Sequence, residues 1–208
     1  MREADIVITC LSTSQDVFEV LDENVLQKFR PGALFLDCTS GDPATSKVIA
    51  ELLRQQDVAF VDAPVSGGVK GAEEGTLTVM CGGSAGDIER ARPIIETFAK
   101  KIVHCGPIGA GDAVKAMNQA LLAITIWGTG EALAALAKLG VSPQVALEVI
   151  NASSGRSNAS MNLFPERVLT RAFPRTFRLA LMDKDVRIAA QIARDEKVPS
   201  PLTQLVAD

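Results

Sequence analysis

Short apolar runs rich in β-branched residues alternate with helical patterns through the first half of the chain. The strand-like runs span residues 5–10, 33–36, 58–61, 77–80 and 101–104. The helical patterns between them span residues 14–28, 42–55 and 87–99. Asp42 and Pro43 are of the types preferred at an N-cap and at the first helical position. Such alternation predicts a mostly parallel sheet with helices on its faces.

The second half has helical patterns only. Residues 112–139 lack proline, and an alanine- and leucine-rich stretch runs through them to Gly140, a typical residue just past a helix end. Ser142 and Pro143 begin another helix, and helical spacing returns at residues 160–170 and 181–196. After residue 105 the chain is therefore predicted to be all-α.

The predicted fold class is α/β. A Rossmann-type, mostly parallel sheet domain is expected at residues 1–109, and an all-helical domain at residues 110–208, with a long interdomain helix. A chain of 208 residues is long enough to bury two such cores.

Charge and cysteine usage narrow the classes of partner. The net charge of −4 offers no broad basic surface, which disfavours nucleic-acid binding and favours small-molecule chemistry. The first residues have no long apolar segment and no apolar run reaches about 18 residues, so neither export nor a membrane partner is predicted. Four widely spaced cysteines are interpreted as buried, reduced thiols of a cytoplasmic protein, with no metal site: Cys10, Cys38, Cys81 and Cys105.

Residues 62–68 form the first candidate site. They follow a predicted strand, and ligands of open parallel sheets bind beyond such strand ends. Gly67 and Gly68 leave backbone N–H groups unscreened and Ser66 adds a hydroxyl, so the segment could bind a carboxylate. Ser-Gly-Gly is also ordinary turn chemistry, so both interpretations stay open.

Residues 109–118 form the second candidate, at the start of the long helix. Lys115 and Asn118 are three positions apart and share a helix face that is otherwise apolar. Partial desolvation would favour a neutral amine, which can accept a proton. The alternative is a surface lysine early in a helix.

Residues 177–185 form the third candidate. Lys184 lies between Asp183 and Asp185 on a predicted helix. A solvated salt-bridge face and contact with a cofactor are both compatible with this pattern.

The order of four segments resembles the β-hydroxyacid dehydrogenase family, which includes 3-hydroxyisobutyrate dehydrogenase and tartronate semialdehyde reductase. The likeness runs through nearly the whole chain. It rests on Asp62-Ala63-Pro64-Val65-Ser66-Gly67-Gly68, on Gly109-x-Gly111-x-x-x-Lys115-x-x-Asn118, on Ser153-Ser154-Gly155-Arg156 and on Leu181-Met182-x-Lys184-Asp185.

The resemblance implies a role for each candidate residue. Ser66, Gly67 and Gly68 would bind the substrate carboxylate, Lys115 would be the catalytic acid/base, and Asn118 would orient the substrate. NAD or NADP would contact residues of both halves, namely Leu11, Ser12, Ser40, Phe177 and Lys184. Ser12 replaces a frequent family proline and Ser40 a frequent threonine.

The family's reaction is a reversible hydride transfer between the nicotinamide and the hydroxyl-bearing carbon of a small hydroxyacid. The resemblance further implies a homo-oligomer, either a dimer or a tetramer. Substrate identity and the choice between NAD and NADP are not readable from these motifs.

The family's Gly-x-Gly-x-x-Gly turn and ribose discriminator have no counterpart before Asp5. About two β-α units, roughly 60 residues, are therefore expected to precede this sequence in a full family member, and the helical domain is expected to continue beyond Asp208. Poor cofactor affinity is expected of the chain alone.

Two other functions remain open. A relative of 6-phosphogluconate dehydrogenase would share the architecture but have a larger helical domain. A catalytically silent binding or dimerisation module would use the long apolar helix to pair with another subunit.

Overall fold

A computed structural model describes residues 4–174 and 176–208 of the chain. The sequence-based expectations for residues 1–3 lie outside this range. The described residues divide into two compact units, Met1–Met117 and Asn118–Asp208, so the division falls within the long helix rather than in a linker.

The described part of the first unit contains six strands and the helices between them. The strands are β1 (Ile6–Thr9), β2 (Leu34–Asp37), β3 (Ala59–Asp62), β4 (Val65–Ser66), β5 (Leu77–Gly82) and β6 (Ala99–Gly106). The helices are α1 (Ser14–Val20), α2 (Glu23–Leu26), α3 (Pro43–Arg54), α4 (Gly68–Glu73), α5 (Ala85–Ile95) and the start of α6 (Ala110–Lys138). The predicted Rossmann-type alternation of strands and helices is confirmed.

The sheet is mostly parallel, as predicted. Its order is β1-β2-β3-β5-β4, and β6 also pairs with β5. The β1–β2, β2–β3 and β5–β6 pairs are parallel, whereas β5 runs antiparallel to β3 and β4. The register aligns Thr9 with Asp37 and Asp37 with Asp62, so three polar residues end adjacent parallel strands.

Alternating side chains of β2 supply two cores, one on each face of the sheet. Phe35 packs with Ile49 and Leu53 of α3 on one face. Leu34 and Leu36 point to the other face, where residues of β5 and α5 complete the cluster. Both faces of the central strands are therefore covered, which explains why β2 is buried at every position.

Three local features differ from prediction. The single helix predicted at residues 14–28 is two helices, because the chain leaves helical geometry at Leu21 and Asp22 then caps α2 by accepting a hydrogen bond from the Val25 N–H. The helix predicted at 87–99 begins at Ala85 and ends at Ile95, and Ala99 already belongs to β6. The short elements β4 and α4 were not predicted.

The residues that the structure describes in the second unit are all-α, as predicted. After α6 it contains α7 (Pro143–Ala152), the π-helix π1 (Ala159–Val168), α8 (Leu179–Asp195) and α9 (Pro201–Ala207). One apolar cluster joins Leu133 of α6 to Leu147 and Phe164, and another joins Ala123 to Val186. The structure corrects two expectations: the helix expected at 160–170 is a π-helix, and α9 begins at Pro201, where no helix was predicted.

Helix α6 has the length and mean hydropathy of a membrane-spanning segment, the one such helix among the described residues. Long core helices of soluble proteins meet the same criterion, so length and composition do not assign α6 to a membrane.

All four cysteines are free thiols. Cys38 and Cys81 are buried, as predicted, and burial raises the pKa of both thiols to about 12. The prediction of a buried Cys10 is wrong, because Cys10 follows β1 at the end of the strand order and is exposed. Cys105 is half-buried.

Candidate active site

The carboxyl ends of β1 and β2 are tied together by short polar side chains. The Thr9 hydroxyl donates to Asp37 Oδ1 at 2.9 Å, and the Thr39 N–H donates to the same oxygen at 3.0 Å. The Leu11 N–H donates to Thr39 Oγ1 at 2.9 Å. The loops that follow both strands are thus fixed side by side at the edge where open parallel sheets bind ligands.

The predicted cofactor residues of the first unit lie in these two loops. Leu11 and Ser12 are exposed and follow β1, and Ser40 is half-buried and follows β2. Exposure at the ligand-binding edge of the sheet fits contact with a dinucleotide. When bound, NAD(P) would supply the hydride acceptor or donor, and these residues would contribute to its binding.

The carboxyl end of β3 holds the start of α6. Asp62 is 1% exposed, and its Oδ1 accepts the Gly109 N–H at 2.7 Å while its Oδ2 accepts the Asp112 N–H at 3.1 Å. The first N–H groups of a helix have no partner within the helix, and a carboxylate is well suited to satisfy them. Asp62 therefore caps α6 from a neighbouring strand.

Glycines make room for this arrangement. A Cβ atom at Gly111 would lie 2.2 Å from the Met80 carbonyl oxygen and 2.8 Å from Asp62 Oδ2. A Cβ atom at Gly82 would lie 2.5 Å from both Asp62 oxygens. Gly111 has no room for a side chain because α6 lies against the β5 backbone, and Gly82 has none because the Asp62 carboxylate packs against it.

Asp112 secures the other side of the first turn of α6. Its Oδ1 accepts the Gly41 N–H at 3.0 Å, and Ser46 Oγ lies 2.6 Å from its Oδ2. Burial, and then the nearby charge of Asp62, raises the pKa of Asp112 to about 7. Burial also raises the pKa of Asp62, but its hydrogen bonds from the Gly109 and Asp112 N–H groups act in the opposite direction.

Residues 65–68 follow directly from the Asp62 strand end. Ser66 ends β4, and the exposed Gly67 and Gly68 have positive φ angles of 140° and 65°. A Cβ atom at Gly67 would lie 2.8 Å from the Leu77 side chain, whereas Gly68 faces open space. The backbone conformation thus favours glycine at both positions, and the exposure of both residues is compatible with carboxylate binding.

Lys115 is buried, with 8% of its surface exposed. A buried lysine in the second turn of α6 is not the solvated surface residue of the alternative interpretation. Asn118, three positions later in α6, is exposed and donates from Nδ2 to Gln119 Oε1 at 3.3 Å. Their roles as acid/base and substrate ligand stay predictions.

In the second unit, Lys184 forms an ion pair with Asp185 at 3.1 Å. The Asp185 side chain is 4% exposed and that of Lys184 is 19% exposed, so this pair is not part of a solvated charged face. Asp183, by contrast, pairs with Arg187 on the exposed side of α8. Phe177 precedes α8 and is half exposed. A cofactor role for Lys184 and Phe177 stays a prediction.

Sequence reasoning missed Asp62 and Asp112 as structural partners. One signal was available, because the glycine-rich start of α6 offers no capping side chain at Gly109. Residues 153–156 follow α7 as an exposed turn and connect it to π1. Among the described residues, no group of three or more metal-ligand side chains is close enough to hold a metal ion.

Two family models together match nearly the whole chain. Residues 1–106 match the NAD binding domain of 6-phosphogluconate dehydrogenase, and residues 109–208 match the family described as NAD-binding of NADP-dependent 3-hydroxyisobutyrate dehydrogenase. Both matches concern NAD(P)-binding proteins, which supports NAD or NADP as the cofactor.

Two named dehydrogenases are similar to this chain over almost its full length. 2-(Hydroxymethyl)glutarate dehydrogenase of Eubacterium barkeri is 35% identical over 97% of this chain and 68% of the relative. NAD-dependent L-serine dehydrogenase of Pseudomonas aeruginosa is 36% identical over 99% of this chain and 72% of the relative.

A solved structure gives the same result. 3-Hydroxyisobutyrate dehydrogenase of Mycobacterium tuberculosis, solved with L-serine, has a TM-score of 0.91 and 35% identity over 100% of this chain and 73% of that one. The fold, the motif order and these similarities agree. The chain therefore belongs to the β-hydroxyacid dehydrogenase family of NAD(P)-dependent oxidoreductases, which act on small hydroxyacids.

Proposed function

We propose that Lys115 is the acid/base of this dehydrogenase and that residues 66–68 bind the substrate carboxylate. The observation that carries the proposal is the shared anchor at Asp62. The helix that bears Lys115 starts on the Asp62 carboxylate, and the chain passes from Asp62 directly into the Ser66-Gly67-Gly68 turn. A proton-transferring group and an anion-binding turn are thereby built on one strand end.

The chain's own residues would act as follows. Ser66 and the N–H groups of Gly67 and Gly68 hold the carboxylate, and Asn118 orients the substrate. Lys115 takes the proton from the substrate hydroxyl as the carbon–oxygen double bond forms. Bound NAD(P)⁺ would accept a hydride from the same carbon, so the hydroxyacid would lose one hydride and one proton and become an aldehyde or ketone.

The names of the relatives suggest a narrower substrate class. 2-(Hydroxymethyl)glutarate, L-serine and 3-hydroxyisobutyrate all place a hydroxymethyl group on the carbon next to a carboxylate. We infer that the substrate is a 3-hydroxypropanoate with a substituent on C2, and that its oxidised product is an aldehyde.

A substrate panel tests this function. Reduced nicotinamide is followed by absorbance with NAD⁺ and with NADP⁺, using the three acids above, lactate and 6-phosphogluconate. The proposal expects turnover of at least one C2-substituted 3-hydroxypropanoate and not of lactate. Preferential oxidation of 6-phosphogluconate would favour the alternative enzyme. Inactivity with every compound at saturating NAD⁺ and NADP⁺ would favour a silent module.

We also propose a cytoplasmic homo-oligomer. Leu121 and Trp127 of α6 are 63% and 62% exposed, which favours contact with another subunit. The four free thiols fit a reducing compartment. Light scattering of the purified chain tests the oligomer, since a monomer at all concentrations contradicts it.

A further inference from the structure

We propose that Asp62 is a positioning residue for Lys115: by capping α6 from the end of β3, it fixes the catalytic helix relative to the carboxylate-binding turn. This inference rests on the proposed function of Lys115. Asp62 itself is buried beneath the site and is not proposed to contact substrate.

The cap of α6 differs in origin from the side-chain caps of five other helices. Side chains of Thr13, Asp22, Asp42, Ser84 and Ser142 cap α1, α2, α3, α5 and α7 from the N-cap position itself. Gly109 at the start of α6 has no side chain, and the acceptor comes from Asp62, 47 positions earlier. The α6 cap therefore does more than satisfy a helix end, because it joins the helix to a strand.

Hydrogen bonds fix both the start of α6 and the segment that follows Asp62 in the chain. On one side, the carboxylate holds the Gly109 and Asp112 N–H groups, and Lys115 follows Asp112 by about one helical turn. On the other side, the Met80 N–H donates to the Pro64 carbonyl at 3.1 Å, which fixes the path from Asp62 towards Ser66. A shift of the Asp62 carboxylate would therefore move Lys115 relative to the carboxylate-binding turn.

The chemistry of the cap requires a carboxylate at position 62. Each Asp62 oxygen accepts an N–H group, so the amide of Asp62→Asn would direct its NH₂ group at one of those donors. Position 112 has no such requirement. An asparagine there could accept the Gly41 N–H through its oxygen and donate to Ser46 Oγ, which can also act as an acceptor.

Steady-state kinetics of Asp62→Asn in the full chain test the inference. We expect kcat to fall about 10- to 100-fold, the scale of a small misplacement of a catalytic group. The KM for NAD(P)⁺ should change less than threefold, since the cofactor residues lie elsewhere. A substrate deuterated at the hydroxymethyl carbon should show a larger isotope effect on kcat, because chemistry becomes slower relative to product release.

Asp22→Asn is the matched control, because it makes the same change at the exposed cap of α2, where one oxygen is enough to accept the Val25 N–H. It should leave kcat and the isotope effect unchanged. A folded Asp62→Asn protein with kcat within threefold of the parent overturns the inference. If product release limits the parent, so that its isotope effect is about 1, loss of activity with an unchanged isotope effect also overturns it, since that pattern indicates less active protein and not slower chemistry.

Gly82→Ala decides the question if Asp62→Asn does not fold. This change keeps the carboxylate but places a Cβ atom against both of its oxygens, whereas the control Gly86→Ala has only one atom near 4 Å. We expect Gly82→Ala to lower kcat at least fivefold more than Gly86→Ala, and equal values overturn the inference. Lys115→Ala separates the two proposals. If this variant stays active, the proposed function itself fails. If it is inactive while the Asp62 and Gly82 variants have normal kcat values, only the positioning role fails.

Discussion

Asp62 Oδ2 and the backbone N–H of Asp112 form a buried hydrogen bond of 3.1 Å that joins the end of β3 to the first turn of α6. Asp62 and Asp112 are each 1% exposed. The Asp62 carboxylate also accepts the Gly109 N–H, whereas that of Asp112 accepts the Gly41 N–H. This link makes the stability of the first unit sensitive to pH and to small changes of volume.

The protonation of Asp112 predicts a pH-dependent difference between the wild-type chain and Asp112→Asn. The pKa of Asp112 is about 7 in the folded chain against an ordinary 3.8, so between these values the folded chain binds a proton that the unfolded chain lacks. The stability contributed by this group is therefore present below about pH 4 and is lost as pH rises through about 7.

The asparagine of Asp112→Asn cannot ionise, so this variant does not lose stability as the pH rises through about 7. Its free energy of unfolding should match the wild-type value near pH 4 and exceed it near pH 8, by on the order of 4 kcal/mol at most. Urea unfolding across this pH range measures the difference. A constant difference between the two proteins at all pH values would show that Asp112 ionises normally.

Gly111→Ala should destabilise the first unit. The added Cβ atom would meet the backbone oxygen of Met80 at 2.2 Å, and backbone cannot move aside as a flexible side chain can. We expect a loss of about 3 kcal/mol or more in the free energy of unfolding, at the upper end for overpacking. Gly128→Ala in the same helix is the control, because nothing lies within 4 Å and alanine favours helix by about 1 kcal/mol. Equal stabilities of the two variants would contradict the packing of α6 described above.

Asp185→Ala should destabilise the second unit through its ion pair with Lys184. Removing one partner of a buried pair leaves an uncompensated charge and costs about 3 kcal/mol. Asp183→Ala on the same helix removes an exposed pair with Arg187 and should cost under about 1 kcal/mol. Thermal unfolding compares the two variants, and a greater loss for Asp183→Ala would refute the distinction between the pairs.

Local signals in the sequence were sufficient for the architecture. Asp42 and Ser142 cap their helices as predicted, because the N-cap contact joins residues only three positions apart. The break between α1 and α2 was missed because apolar spacing continues through Leu21, although Asp22 carried a capping signal. No helix was predicted after residue 196, whereas Pro201 occupies the first turn of α9.

The candidate site was predictable only in part. Ser66, Gly67, Gly68 and Lys115 lie in motifs that a resemblance can identify, and their positions at strand and helix ends follow from the alternation of elements. The Asp62 cap could not be predicted, because it joins residues 47 positions apart and depends on the register that aligns the ends of β1, β2 and β3. Burial of Lys115 likewise depends on tertiary packing and not on its helical spacing.

The central claim is that Lys115 transfers the substrate proton. The most direct measurement is kcat for a C2-substituted 3-hydroxypropanoate with Lys115→Ala, beside Lys138→Ala, which removes an exposed lysine from the last turn of the same helix. We predict a fall of about 100-fold or more for Lys115→Ala, the scale of a lost acid/base, and an unchanged rate for Lys138→Ala. A folded Lys115→Ala protein with a near-normal kcat would contradict the account.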